Sequence, residues 1–135
     1  MGKFISGNPP ELMLIPTRCL LFKLGCDVIY KSDIYGEFKT PKKFVTDLAS
    51  IPRFLPLALQ SGDAAPAAII HDGRYAFQDC SKAVADKLLR EAALSLGVPK
   101  WKADLFYWAV RLFGGSAWKK CVDAKRKNDS NPPKC

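Results

Sequence analysis

The periodicity of the apolar residues changes at Ser50, and this change constrains the fold more than any other feature of the chain. Before Ser50, short runs of branched and aromatic residues are broken by turn residues such as Gly25 and Ser32, a pattern typical of antiparallel strands. After Ser50, apolar residues recur at helical spacing. Because strands come first and helices follow without alternation, the sequence predicts an α+β protein. We expect an N-terminal antiparallel β-meander packed against three or four C-terminal helices.

Local signals predict where the helices begin and end. A short helix is predicted over residues 51–59, and a longer, more apolar one over residues 64–77. Ser81 is placed to cap the next helix, because its hydroxyl can accept a hydrogen bond from a free backbone N–H group. Gly97 ends that helix, and Pro99 opens the last main helix.

The last main helix has an apolar face and a polar strip. Four large apolar side chains recur on it at helical spacing: Trp101, Leu105, Trp108 and Leu112. Such spacing is typical of a helix face that packs against a core, so the sequence predicts that these side chains are buried. The polar strip is predicted to face solvent. It consists of Lys100, Asp104 and Arg111.

Length and composition indicate one globular domain. The chain has 135 residues, of which 48% are hydrophobic and 25% charged, which suits a single core. We predict an irregular leader at residues 1–10, one α+β domain at 11–121 and a basic flexible tail at 122–135. The net charge is +8. Residues 119–135 hold six Lys or Arg and two Asp, so they supply half of that charge, and we do not expect specific nucleic-acid recognition.

The sequence carries no secretory, membrane-spanning or zinc-finger signature. No signal peptide is recognisable, and no apolar run is long enough to span a bilayer. The five cysteines include no Cys-x-x-Cys pair, so zinc-finger patterns do not apply. Reduced thiols are expected, with a Cys19–Cys26 bridge across a hairpin as the alternative.

Polar residues gather where the last strand meets the first helix. Thr46, Asp47 and Ser50 lie within five residues of each other. Ser50 suits the N-cap of the following helix, which is a purely structural role. Asp47 lies between apolar neighbours, where burial is expected, and a buried carboxylate needs a partner. This junction is therefore one half of a candidate site.

The second half of the candidate site is His71 with Asp72, inside the apolar helix predicted over 64–77. His71 is the only histidine of the chain. A lone histidine on such a face is often a core residue, but two adjacent titratable groups in an apolar helix are also a mark of chemical sites. Tyr75 lies one turn further on, on the same helix face.

Two kinds of chemistry could use these residues. In a nucleophilic arrangement, His71 would activate Ser50 and be oriented by Asp47 or Asp86, although the Gly-x-Ser-x-Gly elbow is missing. In a metal-assisted arrangement, carboxylates and His71 would hold a divalent ion such as magnesium or manganese. The candidate ligands are Asp47, His71, Asp72 and Asp86. Asp86 also lies at the edge of its helix's apolar stripe, where a solvent-exposed flank residue is expected.

Several motifs of the chain resemble the family known as domain of unknown function 1353, whose members are small proteins of bacteriophages and prophages. The resemblance rests on residues 44–53 (Phe-Val-Thr-Asp-Leu-Ala-Ser-Ile-Pro-Arg), 69–75 (Ile-Ile-His-Asp-Gly-Arg-Tyr), 83–86, 96–99 and 108–114. It implies that eight residues occupy motif positions of the family: Thr46, Asp47, Ser50, Pro52, His71, Asp72, Tyr75 and Asp86. The chain departs from the family at Gly73-Arg74, where a bulkier pair is usual, and we expect this departure to loosen the helix.

Three functional hypotheses follow. The first is a small hydrolase-like phage protein, with His71, Asp47, Asp72 and Ser50 as catalytic residues, and with Thr46, Tyr75 and Arg53 positioning the substrate. The second is a non-enzymatic virion or accessory protein, in which the same polar residues form a structural hydrogen-bonded knot. The third is an antagonist that binds a host protein or an anionic ligand through the basic tail. All three place the protein in the host cytoplasm or the virion, with a phage structural protein or a host protein as partner.

Overall fold

The computed structural model describes residues 2–7, 12–16, 20–46 and 64–126. These residues form six strands followed by four helices. The strands are β1 (Lys3–Ser6), β2 (Leu12–Pro16), β3 (Leu20–Leu24), β4 (Val28–Ser32), β5 (Gly36–Thr40) and β6 (Val45–Thr46). The helices are α1 (Ala65–Phe77), α2 (Lys82–Ser95), α3 (Lys100–Phe113) and α4 (Gly115–Arg126). The predicted α+β class, with antiparallel strands before four helices, is confirmed.

The strands divide between two three-stranded antiparallel sheets. One sheet has the order β1-β4-β5 and the other the order β2-β3-β6. In the first sheet, β4 and β5 form a hairpin, and the Ser32 hydroxyl accepts hydrogen bonds from the backbone N–H groups of Ile34 and Tyr35 in its turn. Alternate residues of β4, namely Val28, Tyr30 and Ser32, are buried. This buried face packs against the helices.

Helix α1 is the centre of the molecule. Its residues Pro66 to Tyr75 are all buried, and it contacts β4, β5, α2 and α4. The core around it is built from aliphatic side chains of α1 and α2, with Phe106 and Val110 from α3. Burial of these apolar side chains is the largest favourable contribution to folding.

The predicted helix boundaries hold for α2 and α3. The Ser81 hydroxyl accepts a hydrogen bond from the Val84 N–H at 3.2 Å, which caps α2. Gly97 follows α2 with a φ of +86°, a conformation that side chains other than glycine disfavour. Pro99 directly precedes α3. The helix predicted over residues 51–59 lies outside the described residues.

Both ends of the predicted domain contain more regular structure than expected. Residues 3–6 form β1 rather than an irregular leader, because they pair with β4 and the Phe4 ring packs on Tyr30 at 4.9 Å. Helix α4 continues to Arg126, past the predicted start of the tail at 122. It is held to α1 by Trp118, whose ring meets Tyr75 edge-on at 5.1 Å. No helix in the described part of the chain is long and apolar enough to cross a membrane.

The predicted burial of the four large apolar residues on α3 is wrong. Trp101, Leu105, Trp108 and Leu112 are 68%, 42%, 57% and 69% exposed. We call these four residues the α3 stripe. Helix α3 has a second apolar face, formed by Ala103, Phe106, Ala109 and Val110, and this smaller face is the one that is buried.

Candidate functional site

The polar centre of the molecule is Asp86 on α2. Its carboxylate is completely buried and accepts four hydrogen bonds. One oxygen, Oδ1, accepts from Nε2 of His71 at 2.8 Å and from the hydroxyl of Tyr75 at 2.7 Å. The other, Oδ2, accepts from Nζ of Lys82 at 2.9 Å and from Nη1 of Arg111 at 3.2 Å. We call these five residues the Asp86 cluster.

Three helices bring the cluster together. His71 and Tyr75 are four residues apart on α1 and therefore lie on one helix face, with their rings 4.3 Å apart. Lys82 and Asp86 have the same spacing on α2, and the Lys82 ammonium also donates to the backbone carbonyl of Val110 at 2.9 Å. Arg111 reaches the carboxylate from α3. The cluster therefore ties α1, α2 and α3 to one another.

The environment sets the protonation of the cluster. Burial tends to raise the pKa of Asp86, but the hydrogen bonds from His71, Lys82 and Tyr75 outweigh it, so the pKa is lowered and the carboxylate is ionised. Burial lowers the pKa of His71, even though its hydrogen bond to Asp86 favours the charged form. Burial and the bond to Asp86 raise the pKa of Tyr75. His71 is thus neutral, with its proton on Nε2.

The second ring nitrogen of His71 has no hydrogen-bond partner among the described residues, although it is buried. With the proton on Nε2, this Nδ1 atom carries a lone pair. Oδ1 of Asp72 lies 4.0 Å from this Nδ1 atom, beyond hydrogen-bonding distance. Asp72 itself is 9% exposed.

A second buried charge joins α1 to the first sheet. Arg74 donates to the backbone carbonyl of Lys39 and pairs with Asp79 at 3.1 Å. Its neighbour Gly73 packs directly on Thr40, and a β-carbon at Gly73 would collide with the Thr40 hydroxyl. The expectation that Gly73-Arg74 loosens the helix is wrong, since α1 runs unbroken through both residues. The glycine permits close contact between helix and sheet.

The structure brings together some of the predicted site residues. His71, Tyr75 and Asp86 touch, and Asp72 lies beside His71. The remaining predicted residues cannot be placed around them. Asp47, Ser50 and Arg53 lie outside the described residues, and so does the Thr46 side chain.

One prediction about exposure is wrong at this site, and two participants were missed. Asp86 was expected on a solvent-exposed flank but is buried. Arg111, expected in a solvent-facing strip, is 34% exposed and also binds Asp86. Lys82 was not predicted at all. Its spacing of four residues from Asp86 is a signal that would have found it. Nothing in the local sequence links Arg111 to Asp86, because only the packing of α3 on α2 makes that contact.

A groove lies apart from the cluster. It has a volume of about 540 Å³ and runs between the β4–β5 turn and helices α2 and α3, with Ile34 and Trp108 among its walls. The cluster's His71 and Asp86 do not line it. In the part of the chain that the structure describes, no three His, Cys, Asp or Glu side chains are arranged to hold a metal ion.

Fold and cluster together define a small α+β domain whose helices are held by a buried, charged centre. The chain belongs to the family described as "Protein of unknown function (DUF1353)", which matches residues 22–110. Neither a curated protein nor a solved structure matches the chain. The family match covers His71, Tyr75, Lys82 and Asp86 and ends one residue before Arg111. The resemblance seen in the sequence is therefore confirmed, and the family's description assigns no activity.

Proposed function

We propose that this protein is a non-enzymatic virion or accessory protein of a bacteriophage or prophage, in which the Asp86 cluster is structural. The observation that carries this proposal is the sealing of the cluster. His71 and Asp86 have no exposed surface, and the Asp86 carboxylate already accepts four hydrogen bonds. A carboxylate offers about four acceptor positions, so Asp86 has none left for a substrate or an ion.

The charges of the cluster support the same role. An ionised Asp86 faces two cations, Lys82 and Arg111, whose side chains are 19% and 34% exposed. The two cations close the cluster on its solvent side. Removing one partner of such a buried pair leaves a charge without compensation, which typically costs about 3–5 kcal/mol. The cluster therefore contributes to holding three helices in one arrangement.

One observation favours a second candidate, the hydrolase-like function. In a Ser-His-Asp arrangement, a carboxylate binds one nitrogen of the histidine and the other nitrogen faces the nucleophile. Asp86 and His71 have the first of these contacts, and the unpartnered Nδ1 is the atom that a nucleophile or water would need. In this candidate, Ser50 would be the nucleophile and Asp47 and Asp72 its supporting carboxylates.

The test separates the two candidates by substituting His71. Glutamine can still donate to Asp86 from its amide nitrogen but cannot act as a base, so His71→Gln preserves the structural role alone. If the cluster is structural, His71→Gln keeps most of the stability and the biological function of the protein. His71→Ala then loses both together, because it leaves a cavity and removes a donor from Asp86.

The measurements are the melting temperature of the purified protein and growth of the phage or prophage whose gene carries the change. Asp27→Asn serves as a matched control, because Asp27 also forms an ion pair but lies on the surface, away from α3. If His71→Gln melts like the wild type and function is lost, the structural proposal is wrong and the hydrolase-like candidate takes its place.

A further inference from the structure

The α3 stripe is an exposed apolar feature of the described surface that the fold itself does not explain. Its four side chains are separated by four, three and four residues along α3. This is the spacing of a helix seam that packs against one other helix. No charged residue interrupts the stripe, and α3, with 14 residues, is about 21 Å long. A contiguous apolar patch of this kind marks an interaction surface.

We infer that the α3 stripe is the interface of a homodimer, in which α3 of one copy packs antiparallel to α3 of a second copy. A two-fold axis between residues 106 and 107 makes the stripe complementary to itself. Trp101 of one copy lies opposite Leu112 of the other, and Leu105 lies opposite Trp108. Each large ring thus meets a smaller aliphatic side chain, and a symmetric interface makes every such contact twice.

The charges beside the stripe favour the antiparallel arrangement. Asp104 and Arg111 are seven residues apart and lie on the same flank of the stripe, both about one-third exposed. In an antiparallel pair the same flanks of the two helices meet, so Asp104 of each copy, which already pairs with two cations of its own chain, comes next to Arg111 of the other. On the opposite flank, Lys102 meets Ala109, and no like charges face each other. A parallel pair would bring Asp104 beside Ala109 and gain no ion pair.

The area available fits a reversible dimer. Given that large side chains bury about 150–250 Å² each, the exposed parts of the stripe amount to roughly 500 Å² per copy. Two copies would bury roughly 1,000 Å², which is near the lower limit for a specific interface. Trp108 also lines the groove that reaches Ile34, which is 76% exposed, so the apolar surface continues beyond the stripe. We expect a dissociation constant of about 1–100 µM.

This proposal does not rest on the function proposed above, because the four residues of the α3 stripe lie outside the Asp86 cluster, although Arg111 on the flank of the stripe belongs to that cluster. Its test is sedimentation velocity on the full chain between about 5 and 500 µM, a range chosen to span the expected dissociation constant. The wild type is expected to change from monomer to dimer over this range. Leu105→Glu, which places a charge at the centre of the seam, is expected to weaken the dimer more than tenfold. Ile5→Glu is the matched control, since Ile5 is an exposed apolar residue on β1, 52% exposed, and its substitution should leave the dimer unchanged.

The orientation is tested by Asp104→Lys, which is expected to weaken the dimer because it sets lysine against Arg111 of the other copy. An unchanged dimer in this variant contradicts the antiparallel arrangement. A wild type that stays monomeric to the highest concentration overturns the proposal altogether. So does a wild type that remains monomeric but binds vesicles of anionic phospholipid through Trp101 and Trp108. The melting temperature of each variant shows that it is folded.

Discussion

Replacing Asp86 by asparagine is the sharpest test of what holds the helices together. The change preserves shape and removes the negative charge. The amide oxygen of asparagine can still accept from His71 and Tyr75. Its NH₂ group then points at Lys82 and Arg111, so donors face donors where the carboxylate accepted two hydrogen bonds.

The magnitude follows from the exposure of the two cations. Hydrogen bonds to charged groups contribute about 1.5–3 kcal/mol each, so losing both would cost up to about 6 kcal/mol if the cations stayed buried. Lys82 and Arg111 are partly exposed, and both can turn towards water. Lys82 also keeps the Val110 carbonyl as an acceptor. We therefore expect the free energy of unfolding to fall by about 2–4 kcal/mol.

Urea denaturation at neutral pH measures this change. The unfolding free energies of wild type and variant should depend on urea concentration with the same slope, which shows that the two proteins expose the same surface on unfolding. The melting temperature should fall by about 10 °C. Asp27→Asn is the control and should lower the free energy of unfolding far less, because the ion pair that it breaks is largely exposed to solvent. If Asp86→Asn is no less stable than Asp27→Asn, the hydrogen bonds from Lys82 and Arg111 contribute no more than a surface ion pair, and the structural role assigned to the cluster is refuted.

Three further predictions concern α1. Burial keeps the pKa of His71 below its ordinary value of 6.5. Just below pH 6.5, His71 therefore binds a proton in the unfolded chain but not in the folded chain. The free energy of unfolding should therefore fall as the pH drops below 6.5, by up to about 1.4 kcal/mol per pH unit, and denaturation of His71→Gln should lack this dependence between pH 5.5 and 7. Gly73→Ala should lower the free energy of unfolding by about 1–2 kcal/mol, measured by thermal unfolding, because the added β-carbon meets Thr40. Gly115→Ala should leave it unchanged, since the space around Gly115 is open. Tyr75→Phe should lower the free energy of unfolding in urea by about 1–2 kcal/mol, because it removes one hydrogen-bond donor from the buried carboxylate. A variant as stable as the wild type would contradict a contribution of this hydrogen bond to stability.

The fold class and the ends of α2 and α3 could be predicted because local chemistry decides them. A serine hydroxyl caps α2, a glycine in a left-handed conformation ends it, and a proline precedes α3. The strand β1 could not be predicted in this way. Its residues, including Phe4, carry only a weak strand pattern, and their structure depends on pairing with β4, more than twenty residues away.

The exposure of α3 and of Asp86 could not be read from periodicity. Helix α3 has two apolar faces, and spacing alone does not say which one the core covers; the larger Trp101 and Trp108 suggested the wrong face. Asp86 lies at the edge of an apolar stripe, where a charged residue usually reaches water. It is buried because His71, Tyr75 and the two cations arrive from three helices, and that convergence exists only in the folded chain.

Arg111 connects the Asp86 cluster with the α3 stripe. Its guanidinium binds Asp86 with one nitrogen at 3.2 Å, while the other donors of the side chain, which is 34% exposed, stay available on the flank of the α3 stripe. The ion pair within the chain therefore fixes the position of the residue that would meet Asp104 of a second copy. Since this pairing restricts the Arg111 side chain before association, less conformational entropy is lost when a dimer forms. The buried cluster and the exposed stripe thus depend on the placement of one helix, α3.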